Sequence, residues 1–314
     1  SFVRNGNYWG KFDGNVDEVI FTPIGNDSTR IAALLSGEVD VMDPIPVQDV
    51  ERVKANTNLK VMQAPELRVI FLGMDQKRDE LLFSNIKGKN PFKDLRVRKA
   101  FYQAIDIETI KSRVMRGAAV PIAQMFPPQV RGFAPDLTQR LPYDPEASKK
   151  LLAEAGYPNG FELKLQYVNN TLSRFLTMAI AGQLKKVGIR PVTEEFQNFG
   201  AMLAAERSKK IGALMFNSNS GVPNLARFQT LGKGSLNFYK SEDATLTKLM
   251  DEAAALPLDK AESAWKKVYA QSVELAWFAP VAAVHVCYFA TSDFKMPQAG
   301  QSLVVDLIDV VPAK

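Results

Sequence analysis

The chain has 314 residues, 46% of them hydrophobic and 23% charged, with a formal net charge of +5. That is enough apolar material for one large or two ordinary buried cores, and no apolar run approaches the roughly 20 residues of a membrane-spanning helix. Lysines and arginines are mixed with acids, as in Lys77-Arg78-Asp79-Glu80, so no basic stripe marks the chain for nucleic acid.

One cysteine, Cys287, and one histidine, His285, exclude an internal disulfide, a cysteine-cluster metal site and paired-histidine metal motifs. Gly232-Lys233-Gly234-Ser235 superficially resembles a phosphate loop but lacks the first glycine at the required offset. Neither a cofactor nor a metal is expected. The start at Ser1-Phe2-Val3-Arg4 reads as a processed product or a fragment.

In chain order, Val16–Ile24 alternates as a strand. Asp27 or Ser28 can cap a helix through Leu35, with Gly37 at its left-handed end. Val39–Met42 follows, which makes a β-α-β unit with parallel strands. Pro44 and Pro46 lead into a helix over Val47–Ala55, then a strand at Leu59–Gln63 and a buried strand over Leu67–Leu72 that ends at Gly73-Met74-Asp75. Lys77–Asn90 is loop. Pro91–Asp94 opens the clearest helix, where Val97, Ala100, Phe101, Ala104 and Ile105 form one core stripe. Asp106 caps the next helix, which stops at Gly117, and Pro121–Pro142 is irregular.

Asp144 and Pro145 start a helix that Gly156 ends. Phe161, Leu163, Leu165 and Tyr167 alternate with polar residues as a half-buried strand. A helix from about Ser173 to Val187 and a strand over Ile189–Phe196 complete a second β-α-β unit. Gly200–Ser208 is a short helix before a strand, Gly212–Phe216, that gives way to the small polar run Asn217-Ser218-Asn219-Ser220-Gly221 and Pro223. Strand ends are where open α/β sheets bind ligands. Helices over Glu242–Ala255 and Asp259–Ala276 follow, the second with capping-box spacing at Asp259 and Glu262. Trp277–Ala290 gives one or two strands and Leu303–Val311 a last one. The pattern is α/β with two lobes and a cleft.

The ordered set Asn7-Tyr8-Trp9, Leu34-Leu35-Ser36-Gly37-Glu38-Val39-Asp40, Pro91-Phe92-Lys93-Asp94-Leu95-Arg96-Val97-Arg98-Lys99-Ala100, Ala104-Ile105-Asp106, Tyr143-Asp144-Pro145-Glu146-Ala147 and Leu151-Leu152-Ala153-Glu154-Ala155-Gly156-Tyr157-Pro158 resembles the extracytoplasmic solute-binding proteins of ABC importers, family 5, the oligopeptide, dipeptide and nickel class. The resemblance implies a two-lobe, type II periplasmic-binding-protein-like fold of the large oligopeptide-binder class with an incomplete first lobe. Residues 1–74 and 286–314 would belong to lobe I and 75–285 to lobe II, with hinge strands near Gly73–Asp75 and Val284–Val286. It also implies a monomer in the periplasm or outside the membrane. Such a receptor encloses a small organic solute, peptide-like or other, and passes it to a membrane permease.

Peptide-binding relatives carry Gly-Trp-x-x-Asp-Tyr-x-x-Pro at the strand-to-loop stretch, its aspartate pairing with the peptide ammonium. Counting back from Pro223, this chain has Phe216 for the tryptophan, Asn219 for the aspartate and Ser220 for the tyrosine. Asn219 accepts a hydrogen bond but supplies no charge, and charge-assisted bonds are roughly twice as strong. The expected ligand-facing residues are Phe216, Asn217, Asn219 and Ser220, with Arg227 opposing an anionic group. The alternative is a hydrolase on a doubly wound sheet. It lacks a Gly-x-Ser-x-Gly elbow and a second histidine, and Glu194-Glu195, adjacent on a strand, point to opposite faces.

Overall fold

The computed structural model describes residues 1–10, 16–124, 127–128, 130, 133–137, 140–219, 237, 242–257, 260–276, 278–291, 294–295 and 311–312. The chain divides into two compact units, Ser1–Glu66 with His285–Lys314, and Leu67–Val284.

In the first unit, β1 (Phe2–Val3) pairs antiparallel with β2 (Glu18–Val19). The alternating stretch 16–24 therefore forms only a two-residue strand, and Ile20 and Phe21 are exposed. Helix α1 (Asp27–Ser36) is capped by Asn26, whose side chain accepts from the Thr29 N–H at 3.0 Å. Asp27 thus falls in the first turn, where a carboxylate meets the positive end of the helix dipole, and it also pairs with Arg30 at 2.6 Å. Gly37 ends the helix at φ 76. Strand β3 (Val41–Met42) pairs antiparallel with the chain's late strand at Phe289 and Ala290. The expected parallel β-α-β unit does not form, because the partner of β3 comes from the far end of the chain. With α2 (Val50–Lys54) these elements bury Ile31, Leu34, Met42, Ile45, Val50 and Val53.

Strand β4 (Leu59–Met74) is continuous where two strands were expected, and it crosses from the first unit into the second. In the second unit, α3 (Leu95–Gln103) follows, capped by Asp94, and then α4 (Ile107–Thr109), capped by Asp106. The next five residues, Ile110–Val114, wind as a π-helix rather than continuing the α-helix. After β5 (Ala119–Val120) come α5 (Pro145–Glu154), β6 (Glu162–Val168), α6 (Thr171–Lys185), β7 (Arg190–Phe196), α7 (Phe199–Arg207) and β8 (Ala213–Asn219). Helices α8 (Ala244–Ala254) and α9 (Glu262–Glu274) lead to β9 (Phe278–Thr291). No side chain among the described residues caps α9, and Asp259 lies outside them. Back in the first unit, β10 (Phe294–Lys295) pairs with β11 (Val311–Pro312). The rest of the strand expected over 303–311 lies outside the described residues.

The sheet of the second unit runs in the order β9-β4-β8-β6-β7, with β5 also paired to β9. Strand β6 is parallel to both β7 and β8, whereas β4 is antiparallel to β8. Because β7 lies on one side of β6 and β8 on the other, right-handed crossovers must put α6 and α7 on opposite faces. The buried side chains agree. Leu176, Ile180 and Leu184 of α6 pack with Val97 and Phe101 of α3, Leu152 of α5 and the strand residues Ile70, Leu72, Leu163, Leu165 and Tyr167. Met202 of α7 packs on the other face with Phe71, Leu214, Met250, Trp265 and Tyr269. Phe92 and Phe101 meet edge-to-face at 5.0 Å, a contact that adds about 0.5–1.5 kcal/mol to their burial.

Candidate functional site

The point where strand connections reverse direction is where open α/β sheets leave a crevice at their carboxyl edge. Here it falls between β6 and β8. The β6–β8 ladder stops at Tyr167↔Met215, and β6 leaves the sheet at Asn169-Asn170, which caps α6. On its other side β8 stays paired to β4 for four more residues: Phe71↔Phe216, Ile70↔Asn217, Val69↔Ser218 and Arg68↔Asn219. The chain expected to become loop after Phe216 is therefore strand through Asn219. Its polar residues stay in the sheet because β4 supplies backbone partners along one edge.

Of the expected site residues, Phe216, Asn217 and Asn219 lie on this extension of β8. The two-residue strand period places Asn217 and Asn219 on one register face and Phe216 on the other. Ser220 and Arg227 lie outside the described residues. Ile70, opposite Asn217, belongs to the core under α6, so Arg68, two residues earlier on β4, lies on the α6 face of the sheet.

That face carries a second polar group. The Tyr167 hydroxyl donates to Glu195 Oε2 at 2.9 Å. Arg174, in the first turn of α6, donates to the same oxygen from Nε at 3.2 Å and Nη2 at 3.0 Å, and from Nη2 to Asn169 Oδ1 at 3.0 Å. Burial, and then the bond to Glu195, hold the Tyr167 hydroxyl above the usual tyrosine range. The carboxylate beside Arg174 raises the guanidinium in turn. Glu194, one residue earlier, faces the opposite layer, where it accepts from Lys164 at 3.0 Å and Gln166 at 2.6 Å. Gln166 is buried and also bridges to the Lys210 carbonyl and the Gly212 N–H. The two glutamates thus have separate partners on separate faces and form no carboxylate pair.

The far end of β6 and β7 fixes this register. The turn at Gly160 (φ 63) touches the turn at Gly188 (φ 89), and a Cβ at Gly160 would stand 2.0 Å from the Gly188 carbonyl oxygen. Among the described residues no group of three His, Cys, Asp or Glu is placed to hold a metal ion.

A doubly wound unit with an extended strand that runs past the end of its neighbour fits the fold of the type II periplasmic binding proteins. Residues 1–239 match the profile of the bacterial extracellular solute-binding proteins, family 5, middle region, and the chain belongs to that family.

It is 28% identical over 281 residues to heme-binding protein A of Haemophilus influenzae, covering 86% of this chain and 48% of that one. To the glutathione-binding protein GsiB of Escherichia coli K12 it is 29% identical over 187 residues, covering 58% of this chain and 33% of that one. In fold it is similar to the periplasmic binding protein DppA of Helicobacter pylori, solved with the peptide STSA. The TM-score is 0.85 at 22% identity, covering 99% of this chain and 60% of that one. The chain thus spans half or less of the length of these curated relatives.

The sequence did not single out Arg68, Asn169 or Arg174, and it weighed Glu195 only as half of an acid pair with Glu194, since their grouping depends on which strands neighbour β6 and β8.

Proposed function

We propose that the chain is part of the solute-binding receptor of an ABC importer. It takes up a small organic solute, peptide-like or other, outside the cytoplasmic membrane and delivers it to the importer's permease. Family membership supports the binding role, and the names of the two curated relatives refer to heme and glutathione. The observation that carries the reading is the β8 extension. Its backbone N–H and C=O groups on the β6 side continue beyond the last β6 pair, beside the crevice. An extended ligand can complete such an edge with main-chain hydrogen bonds, while alternate side chains supply selectivity.

Phe216, Asn217 and Asn219 would line that edge, with Ser220 and Arg227 following them in the chain. The receptor works as a monomer and takes neither nucleic acid nor a metal or cofactor of its own. It is periplasmic or otherwise extracytoplasmic, and no helix among the described residues is long and apolar enough to cross a membrane. A hydrolase reading loses its best acid pair, because Glu194 and Glu195 are committed to opposite faces.

The test is a thermal-shift and calorimetric screen of the full-length gene product against peptides, amino-acid derivatives and small organic acids. A tight ligand raises the melting temperature as binding linkage requires, by about 2.7 kcal/mol of added stability at a hundredfold excess over Kd. Recovery of that ligand chemically altered would overturn the receptor reading and restore the enzyme.

A further inference from the structure

The sequence holds two Asn-Gly pairs, Asn5-Gly6 and Asn159-Gly160. Such a pair is chemically weak, because a glycine amide nitrogen with no Cβ beside it is free to reach the asparagine side-chain carbon. Attack by that nitrogen on Cγ closes a succinimide ring. The fold treats the two pairs differently.

Asn5 and Gly6 are both exposed. The Asn5 side-chain oxygen accepts from the Asn7 N–H at 3.0 Å, and the Asn5 carbonyl accepts from the Tyr8 N–H at 3.2 Å. In this Asx-turn the side chain curls back over the Gly6 amide. The Asn7 N–H also donates to the very oxygen on which negative charge develops during attack. The Gly6 N–H has no hydrogen-bond partner among the described residues, and a Cβ on Gly6 would meet nothing within 4 Å. Asn159 is exposed as well, but its glycine is locked. The Gly160 N–H donates to the Tyr157 carbonyl at 2.9 Å, Arg190 Nη1 donates to the Asn159 carbonyl at 3.1 Å, and the turn sits against Gly188. The Gly160 nitrogen reaches the Asn159 side chain only by breaking these contacts.

We propose that Asn5 is a site of spontaneous modification, deamidating to aspartate and isoaspartate, and that the fold protects Asn159. The Gly6 nitrogen bonds to Asn5 Cγ, the Cγ–Nδ2 bond breaks, and the Gly6 amide proton leaves with Nδ2 as ammonia. Water then opens the succinimide, giving aspartate by attack at one carbonyl and isoaspartate by attack at the other. The product places a new carboxylate beside Arg4, whose Nε pairs with Asp17 at 3.1 Å. The isoaspartate form also lengthens the main chain just after β1.

The test holds the full-length gene product at mildly alkaline pH in water enriched in heavy oxygen, with peptide mapping by mass spectrometry at intervals. The Asn5 peptide is expected to exchange its amide for an acid that carries heavy oxygen, as both aspartate and isoaspartate. The Asn159 peptide should keep its amide over the same interval. In concentrated urea that protection should be lost and both peptides should convert. Gly6→Ala, whose added methyl has open space, should lose most of the conversion at Asn5 and keep the melting temperature of the parent. The urea comparison stands even if that variant fails to fold. An Asn5 peptide that keeps its amide in the native protein, or equal conversion of the two peptides there, overturns the proposal.

Discussion

The contact between the Gly160 and Gly188 turns offers a sharp test of how the carboxyl edge is held in place. Gly160→Ala adds one methyl group that would lie 2.0 Å from the Gly188 carbonyl oxygen and 2.3 Å from its carbon. Ordinary contact begins near 3.4 Å, so one turn must move by more than an ångström. The bonds at risk are those that set the start of the β6–β7 ladder: Arg190 N–H to Phe161 O at 2.9 Å, and Arg190 Nη1 to Asn159 O at 3.1 Å.

Gly156→Ala supplies the control, since Gly156 also has a left-handed backbone (φ 92) but open space around its Cβ. The left-handed conformation alone costs a non-glycine residue about 1–2 kcal/mol, and forcing volume into a packed contact adds about 1–3 kcal/mol. Gly156→Ala should therefore cost about 1–2 kcal/mol and Gly160→Ala about 2–5 kcal/mol. For a unit of this size each kcal/mol lowers the melting temperature by about 2–4 °C. Urea denaturation at constant m-value measures the difference. Equal destabilisation by the two substitutions would refute the view that backbone contact between the turns fixes the register.

Three further outcomes follow from the geometry. Arg98 is 6% exposed and donates to the carbonyls of Leu275, Phe92 and Lys93, which ties the end of α9 to α3. Burial pulls its guanidinium down to about 10. Arg98→Met strands three acceptors and should cost about 3 kcal/mol in chemical denaturation, while Arg98→Lys, lacking the fork, recovers only part of it. The Tyr102 hydroxyl is buried with no hydrogen-bond partner among the described residues, and burial raises its pKa above 10.0. Folding therefore favours the protonated phenol. That preference costs nothing at neutral pH, and stability falls as pH climbs past 10, where the unfolded tyrosine ionises first. Tyr102→Phe should flatten the alkaline arm of a melting-temperature profile and leave the neutral value level or slightly higher. Asn219→Asp should strengthen binding of dipeptide amides at least about tenfold in calorimetry, because it restores the counter-charge an ammonium needs; unchanged affinity would remove Asn219 from the ligand's reach.

The local signals of the fold were legible, and the long-range ones were not. Asp106 and Asp144 cap the helices they were expected to cap, since capping is read from a few adjacent residues. The β6-α6-β7 unit was equally clear from its periodicity. Most of the errors turn on distant partners. Leu59–Gln63 and Leu67–Leu72 were expected as two strands, yet β4 runs through both. Asn217, Ser218 and Asn219 have loop composition but remain strand because β4 pairs with them, and β3 takes its partner from β9. The π-helix at Ile110–Val114 leaves no mark in an apolar pattern that fits an α-helix as well. At the site, the sequence pointed to β8 but could not bring Arg68 or Glu195 to it, because a one-dimensional pattern does not say which strands are neighbours.

Strand β7 stands last in the sheet order, and outermost strands invite chains to add to them. This one is ill suited to that. Pro191 offers no N–H to a newcomer, and Arg190, Glu194 and Glu195 line the strand with charges already engaged by Glu162, Lys164 and Arg174. Any intruding strand would have to leave a donor position empty and disturb three ion pairs. The same charges that surround Tyr167 and Gln166 thus also guard this edge of the sheet against self-association.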